Sequence, residues 1–137
     1  MKKIYLIRHC KAEGQPPHSK LTNIGLKQAQ ELKEFLKDHN ITYIASSPYV
    51  RAVDTITPLS KELNITVNID ERLKEKVLTS KEVEDFTPLL IEAFKDIDLK
   101  FEGGESSREA TTRAIEVIED LLNREDENIA VVTHGEL

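Results

Sequence analysis

The first apolar stretch of the chain, KIYLIR (3–8), and its last, IAVVTH (129–134), are nearly unbroken. Runs of this length predict short strands covered on both faces, as in parallel sheets. Two half-alternating stretches bounded by polar residues, TYIASS (42–47) and ITVNID (65–70), predict two further strands. Between them the spacing of apolar residues changes. Leu26, Ala29, Leu32, Phe35 and Leu36 fall on one stripe of a helix that Thr22 can cap and that runs to about Asp38. Ser47 and Pro48 read as the N-cap and first-turn proline of a second helix ending near Leu63. Pro58 is expected to kink or restart it, because proline lacks the N–H and crowds the preceding turn. A third helix is expected from Ser80, interrupted at Pro88. A fourth starts at Ser106 or Ser107 and carries Ala110, Ala114, Val117, Ile118, Leu121 and Leu122 at helical spacing. The short breaks GQPP, GG and NREDEN read as loops.

Strands alternating with helices predict an α/β fold: a three-layer sandwich whose largely parallel sheet is flanked by helices, in one domain over 1–137. Ligands of such sheets bind beyond the carboxyl ends of the strands. Arg8 and His9 follow the first strand, Arg51 lies in the first helical turn after the second, Glu75 follows the third, and His134 closes the fourth. If the strands are parallel, all five groups emerge along one rim.

Composition narrows the chemistry. With 19 Lys+Arg against 25 Asp+Glu the net charge is −6, which argues against a sequence-independent nucleic-acid binder. A small anionic substrate in a locally basic pocket remains compatible with it. The single cysteine cannot form an internal disulfide, which fits a reducing compartment. No run approaches the ~20 apolar residues of a membrane span, and MKKIYLIRH lacks the apolar length of a signal peptide. A cytoplasmic protein with neither a membrane nor a nucleic-acid partner is expected.

Three chemistries could explain why an apolar strand runs into Arg8, His9 and Cys10. A cysteine nucleophile in an H-C-x5-R loop would need arginine at position 16, where the chain has Pro16. Cys10 then reads as a small residue under the strand end. A metal site could draw on His9, Cys10, His18 and His134, but neighbouring side chains of an extended segment diverge, and no C-x-x-C or H-x-x-x-H spacing occurs. His18 and His39 read as loop and helix-end residues, so no metal or other cofactor is expected. The third chemistry is a histidine nucleophile. Neutral imidazole attacks phosphorus, and covalent catalysis splits one hard displacement into two easier ones. The transferring group carries charge on three oxygens, which arginine forks neutralise without metal. Arg8, Arg51 and His134 can supply that cradle, and Glu75 can protonate the leaving oxygen and later activate water. Taken singly, each has a plainer reading: surface arginines, a hydrogen-bonded core histidine, and a solvated charge run in ERLKEK.

Six pieces in order, RHCKAEG, LTNIGLKQA, SSPYVRAVDT, ERLKE, GGES and VVTHGE, resemble the histidine phosphatase superfamily, the group of phosphoglycerate mutases and many small phosphatases. The resemblance covers residues 3–137. It implies a phosphoglycerate mutase-like sandwich, His9 as the phosphoryl-accepting nucleophile, Arg8, Arg51 and His134 as the phosphate pocket, and Glu75 as proton donor. Gln15 falls where the family often has an asparagine touching the phosphate, and the backbone N–H of Gly135 is a further candidate. GGES (103–106) resembles a stretch bordering the site, without assigned chemistry. Three features depart from the family pattern. Cys10 replaces a glycine, which is tolerable only if its backbone angles are ordinary. KVLTSKEVEDF replaces the segment that commonly follows the acid, with Glu71 as the alternative acid. The chain stops at Leu137, where relatives continue. A C-terminally shortened form, or a homodimer over the uncovered surface, is therefore expected.

The activity expected is that of a metal-independent phosphatase for phosphate monoesters, through a phosphohistidine on His9 and favouring mildly acidic pH. The alternatives are a phosphoglycerate mutase-type transferase (an isomerase) and a non-catalytic phosphate-binding module. The expected partner is a phosphorylated small molecule or phosphoprotein.

Overall fold

Residues 2–77, 79 and 85–135 are described by the computed structural model. The first strand, β1, spans Lys3–Arg8 and is followed by α1 at Asn23–Leu36, β2 at Tyr43–Ser46, α2 at Val50–Leu63 and β3 at Val67–Ile69. A single 3₁₀ turn at Glu71–Leu73 precedes α3 at Thr87–Lys95, α4 at Ser107–Leu122 and β4 at Asn128–Thr133. Among the described residues the four strands are all parallel, in the order β1-β4-β2-β3. The three-layer α/β sandwich expected from the sequence is the fold.

Each face of the sheet has its own core. On one face α1 and α2 bury Leu36, Ala52, Ile56 and Leu59 against Ile44, Ala130 and Val132. On the other, α4 buries Val117 and Leu121, with Leu73, against Ala45, Ile129 and Val131. Adjacent residues of β4 thus serve opposite cores, and its apolar run is buried throughout. β1 has the same sequence character and a different fate. It is an edge strand, and Leu6 is 67% exposed on the side where α4 reaches Ile4 but not Leu6. The expectation that β1 is covered on both faces is therefore corrected. Continuous apolarity marks a strand without saying how many layers reach it.

The helix signals mostly stand. Thr22 caps α1, its hydroxyl accepting from the Gly25 N–H. Ser106 and Glu109 close a capping box on α4. The N-cap of α2 is Tyr49 rather than Ser47, whose hydroxyl accepts from the Tyr49 N–H just ahead of the helix. Pro58 does not restart that helix, which is continuous to Leu63 and ends on Asn64 in the left-handed conformation, φ 55°. Pro88 does not interrupt a helix but sits in the first turn of α3, where its missing N–H costs nothing. The expected start at Ser80 lies outside the described residues. Leu26 and Phe35 of the α1 stripe, and Leu122 of the α4 stripe, are exposed, so each buried stripe is narrower than its apolar pattern.

Candidate active site

Strand register places the site. Arg8 pairs with Thr133 and Ser46 with Val132, so the next residues of β1, β4 and β2, namely His9, His134 and Ser47, emerge side by side. The ladder continues one step into them, through His9 N–H to the Thr133 carbonyl (3.1 Å) and Ser47 N–H to the Val132 carbonyl (2.9 Å). The two imidazoles stand 5.1 Å apart, centroid to centroid. A cavity of about 410 Å³ opens beside them, lined by Arg8, His9, Cys10, Gln15, Arg51 and Glu75 among others. His134 stands behind His9 rather than on that lining, and is 3% exposed.

The tautomer of His9 follows from its partners. Nδ1 lies 2.7 Å from the Cys10 carbonyl, an acceptor only, so Nδ1 carries the proton. Nε2 then has a free lone pair and accepts from Arg51 Nε at 3.3 Å. Burial, joined by the Arg51 charge and only partly offset by the Cys10 carbonyl, holds His9 below the ordinary histidine pKa. The result is a neutral imidazole with its unprotonated nitrogen at the cavity. Cys10 has an ordinary φ, since the only positive-φ non-glycine residues described are Asn40 and Asn64. Cysteine therefore costs no strain where the resembled family has glycine. Its thiol is pushed up by burial, away from the thiolate.

Arg51 is the most deeply buried arginine or lysine among the described residues. Its side chain is 1% exposed, and Nη1 donates to the carbonyls of Gln15 (2.9 Å) and Pro16 (3.0 Å). Nη2 meets Glu75 Oε2 at 2.7 Å. With Nε on His9, four of its five N–H groups are engaged. Gln15 thus takes part through its main chain and lines the cavity. Arg8 is the opposite case: exposed at the cavity, its guanidinium has no hydrogen-bond or ion-pair partner among the described residues. Gly135 is packed onto it, and a Cβ there would stand 3.3 Å from Arg8 Cζ and Nε, so glycine leaves the guanidinium room. Glu75 lies at the cavity, whereas Glu71 sits exposed in the 3₁₀ turn and lines no part of it.

His134 combines two facts. Ser47 Oγ accepts from the Tyr49 N–H (3.2 Å), leaving its own hydrogen free to donate to His134 Nε2 at 2.8 Å. With Ser47 donating, the His134 proton sits on Nδ1, which is buried and has no hydrogen-bond partner among the described residues. An orphaned buried donor costs about 1–3 kcal/mol, a cost an anion can remove. Burial, then the charge of Arg51, drives the His134 pKa down to about 3, so the ring is neutral throughout the working range.

Three supports were not singled out from the sequence as site residues. Thr55 on α2 accepts from the Cys10 N–H (2.8 Å) and donates to the Arg51 carbonyl (2.7 Å), tying the loop after His9 to the arginine. Ser47 sets the tautomer of His134. Tyr49 lies under the Arg51 guanidinium at 4.9 Å and edge-on to His134 at 4.9 Å. The signal for Thr55 was the i+4 spacing from Arg51. For the other two it was their place within three residues of the end of β2. Among the described residues, no three His, Cys, Asp or Glu groups converge at metal-binding distance, and no helix is long and apolar enough to cross a membrane.

The model of a family described as the histidine phosphatase superfamily, branch 1, matches residues 4–137. A curated protein of Hydrogenobacter thermophilus named "Putative phosphoserine phosphatase 2" is 33% identical over 98% of this chain and 74% of its own length. A Yersinia pestis protein named "Probable phosphoglycerate mutase GpmB" is 30% identical over 64% of this chain and 46% of its own. The chain therefore spans about three quarters of the first relative and under half of the second. Among solved structures, mycobacterial glucosyl-3-phosphoglycerate phosphatase with inorganic phosphate superposes with a TM-score of 0.86 at 23% identity, over 99% of this chain and 74% of that one. The α-ribazole phosphatase of Shigella flexneri gives 0.77 at 23% identity, over 96% and 73%.

Proposed function

The chain belongs to the histidine phosphatase superfamily, branch 1, and on that premise we propose that it hydrolyses phosphate monoesters through a phosphohistidine on His9. The observation that carries the reading is His9 on the lining of a cavity shared with Arg8, its Nδ1 2.7 Å from the Cys10 carbonyl and its Nε2 3.3 Å from Arg51 Nε, with no partner for the Arg8 guanidinium among the described residues. Phosphatase-named relatives support the reaction class.

Nε2 of His9 attacks phosphorus as the bond to the ester oxygen breaks, and Glu75 gives its proton to that oxygen. The leaving alcohol departs and phosphoryl stays on Nε2. Water then gives a proton back to Glu75 and attacks phosphorus. The P–N bond breaks, inorganic phosphate leaves, and His9 and Glu75 return to their starting states. Arg8 takes non-bridging oxygens with its free fork, and Arg51 offers Nε and the remaining Nη2 hydrogen. His134 Nδ1–H is the third donor. A phosphate dianion competes with Glu75 for Arg51, which frees that carboxyl to turn towards the leaving oxygen.

Transfer to a second hydroxyl, as the mutase-named relatives would suggest, needs a phosphohistidine shielded from water. His9 and Glu75 are both partly exposed, which favours hydrolysis. The test is labelling with a ³²P-phosphate monoester. The expected result is an acid-labile, alkali-stable label on wild type and none on His9→Ala, with phosphate release lost in parallel. Turnover retained by His9→Ala would refute the proposal. Binding of phosphate without any label would leave a phosphate-binding module.

A further inference from the structure

Glu75 sits in a segment, 74–77, that belongs to no helix or strand. A general acid works only within hydrogen-bond reach of its target, and misplacement by an ångström is costly. Something other than secondary structure must hold it. Arg113, on α4, donates from Nη1 to the carbonyls of Arg72 (2.6 Å) and Lys74 (2.8 Å). The rest of its fork is gripped by Glu105, through Nε to Oε2 (3.0 Å) and Nη2 to Oε1 (2.6 Å). Glu105 reaches past Glu75 to the other side: Oε1 accepts from the Val77 N–H (3.0 Å), and the Glu105 N–H donates to the Val77 carbonyl (2.7 Å). A single ion pair, 14% and 17% exposed, thus holds the chain at 72, 74 and 77, on both sides of Glu75.

We propose that the Arg113–Glu105 pair positions Glu75 for proton transfer, as a device acting through that carboxylate and touching no substrate. This rests on the phosphohistidine reading above. Two observations favour positioning over mere attachment of a loop. A largely buried ion pair is a poor source of net stability, because desolvating both charges offsets their attraction. And the four contacts from the pair to residues 72–77 all go to backbone groups flanking one side chain, the only carboxylate among the described residues lining the cavity. Thr133 Oγ1 to the Leu73 carbonyl (2.8 Å) and Lys76 Nζ to Ser107 Oγ (2.8 Å) complete the frame.

Leaving-group dependence separates the roles. An aryl ester expels a stable phenolate and needs little proton donation, whereas an alkyl ester expels an alkoxide and depends on it. Rates are measured with p-nitrophenyl phosphate and with an alkyl phosphate that wild type turns over, for Arg113→Met, Glu105→Gln, Glu75→Gln and the Arg113→Met/Glu75→Gln pair. The expected loss for Arg113→Met is about 10²-fold greater on the alkyl ester than on the aryl ester. Glu105→Gln should lose less, in the same ratio direction, and the double variant should be no worse than Glu75→Gln on the alkyl ester. Equal losses on the two esters, additive losses in the double variant, or a wild type that turns over aryl but no alkyl esters would each overturn the inference. If Arg113→Met loses its cooperative unfolding transition, Glu105→Gln carries the same comparison. Failure of the parent reading looks different: wild type then takes no ³²P on His9 at all.

Discussion

Removing the titration of His134 should flatten the acid sensitivity of the fold. The ring is 3% exposed, and its pKa in the folded protein is about 3, set first by burial and then by Arg51. In the unfolded chain a histidine titrates near 6.5. Between those values the unfolded chain binds a proton that the folded one refuses. Unfolding is thus progressively favoured as the pH falls from about 6.5 towards 3, and the stability is fully present only above that window. The limiting slope is about 1.4 kcal/mol per pH unit, and between pH 6.5 and 4.5 the loss comes to roughly 2 kcal/mol. That is a sizeable share of a domain stability of about 5–15 kcal/mol, and it corresponds to roughly 6–10 °C in Tm for a chain of this size. The assay is urea unfolding followed by far-UV circular dichroism at both pH values, on wild type and His134→Gln. Glutamine keeps a polar group for Ser47 but does not titrate. The difference between the two proteins is the quantity of interest, because carboxylates and His9 act in both. Wild type should lose about 2 kcal/mol more than the variant over the two pH units. Parallel pH dependences would refute the burial argument and, with it, the neutral state of His134.

The remaining expectations concern the other members of the site. Arg51→Lys should lower kcat/KM by about 10²-fold or more, because one ammonium cannot hold Glu75, the 15–16 carbonyls and His9 together; a loss under threefold in steady-state assays would contradict this. Since burial holds His9 below the ordinary value, its neutral form survives acidification, and the acid limb of the kcat/KM profile should lie below pH 6.5; a limb above pH 7 would count against His9 as the free nucleophile. Gly25→Ala should destabilise the fold by about 1–3 kcal/mol, because a Cβ there would stand 2.1 Å from the Lys11 carbonyl, in the loop that follows His9; unchanged thermal unfolding would show that the loop yields freely.

How much of this was legible in the sequence depends on where each residue's partner lies. His9, Arg8 and His134 stood out because an apolar run that ends abruptly in charge is a local event, and parallel register brings such ends together whatever else the chain does. Gly25 lay in a motif piece, LTNIGLKQA, but its reason is the Lys11 carbonyl fourteen positions earlier. Ser47 read as a helix cap because caps are local; its bond to His134 spans 87 positions, and no periodicity marks it. Leu6 failed for a related reason, since period and apolarity identify a strand but not its place at an edge. The GGES stretch is the sharpest case. Its glutamate could be quoted but given no role, because Glu105 works through Arg113 on the backbone of a third segment, and backbone acceptors carry no residue identity. Side chains that do chemistry leave a type-specific trace in the sequence. Those that hold them in place spend their hydrogen bonds on carbonyls and amides common to every residue. The support of a site should therefore be sought wherever an irregular, catalytically placed segment such as 74–77 has its main-chain groups satisfied from a distant helix.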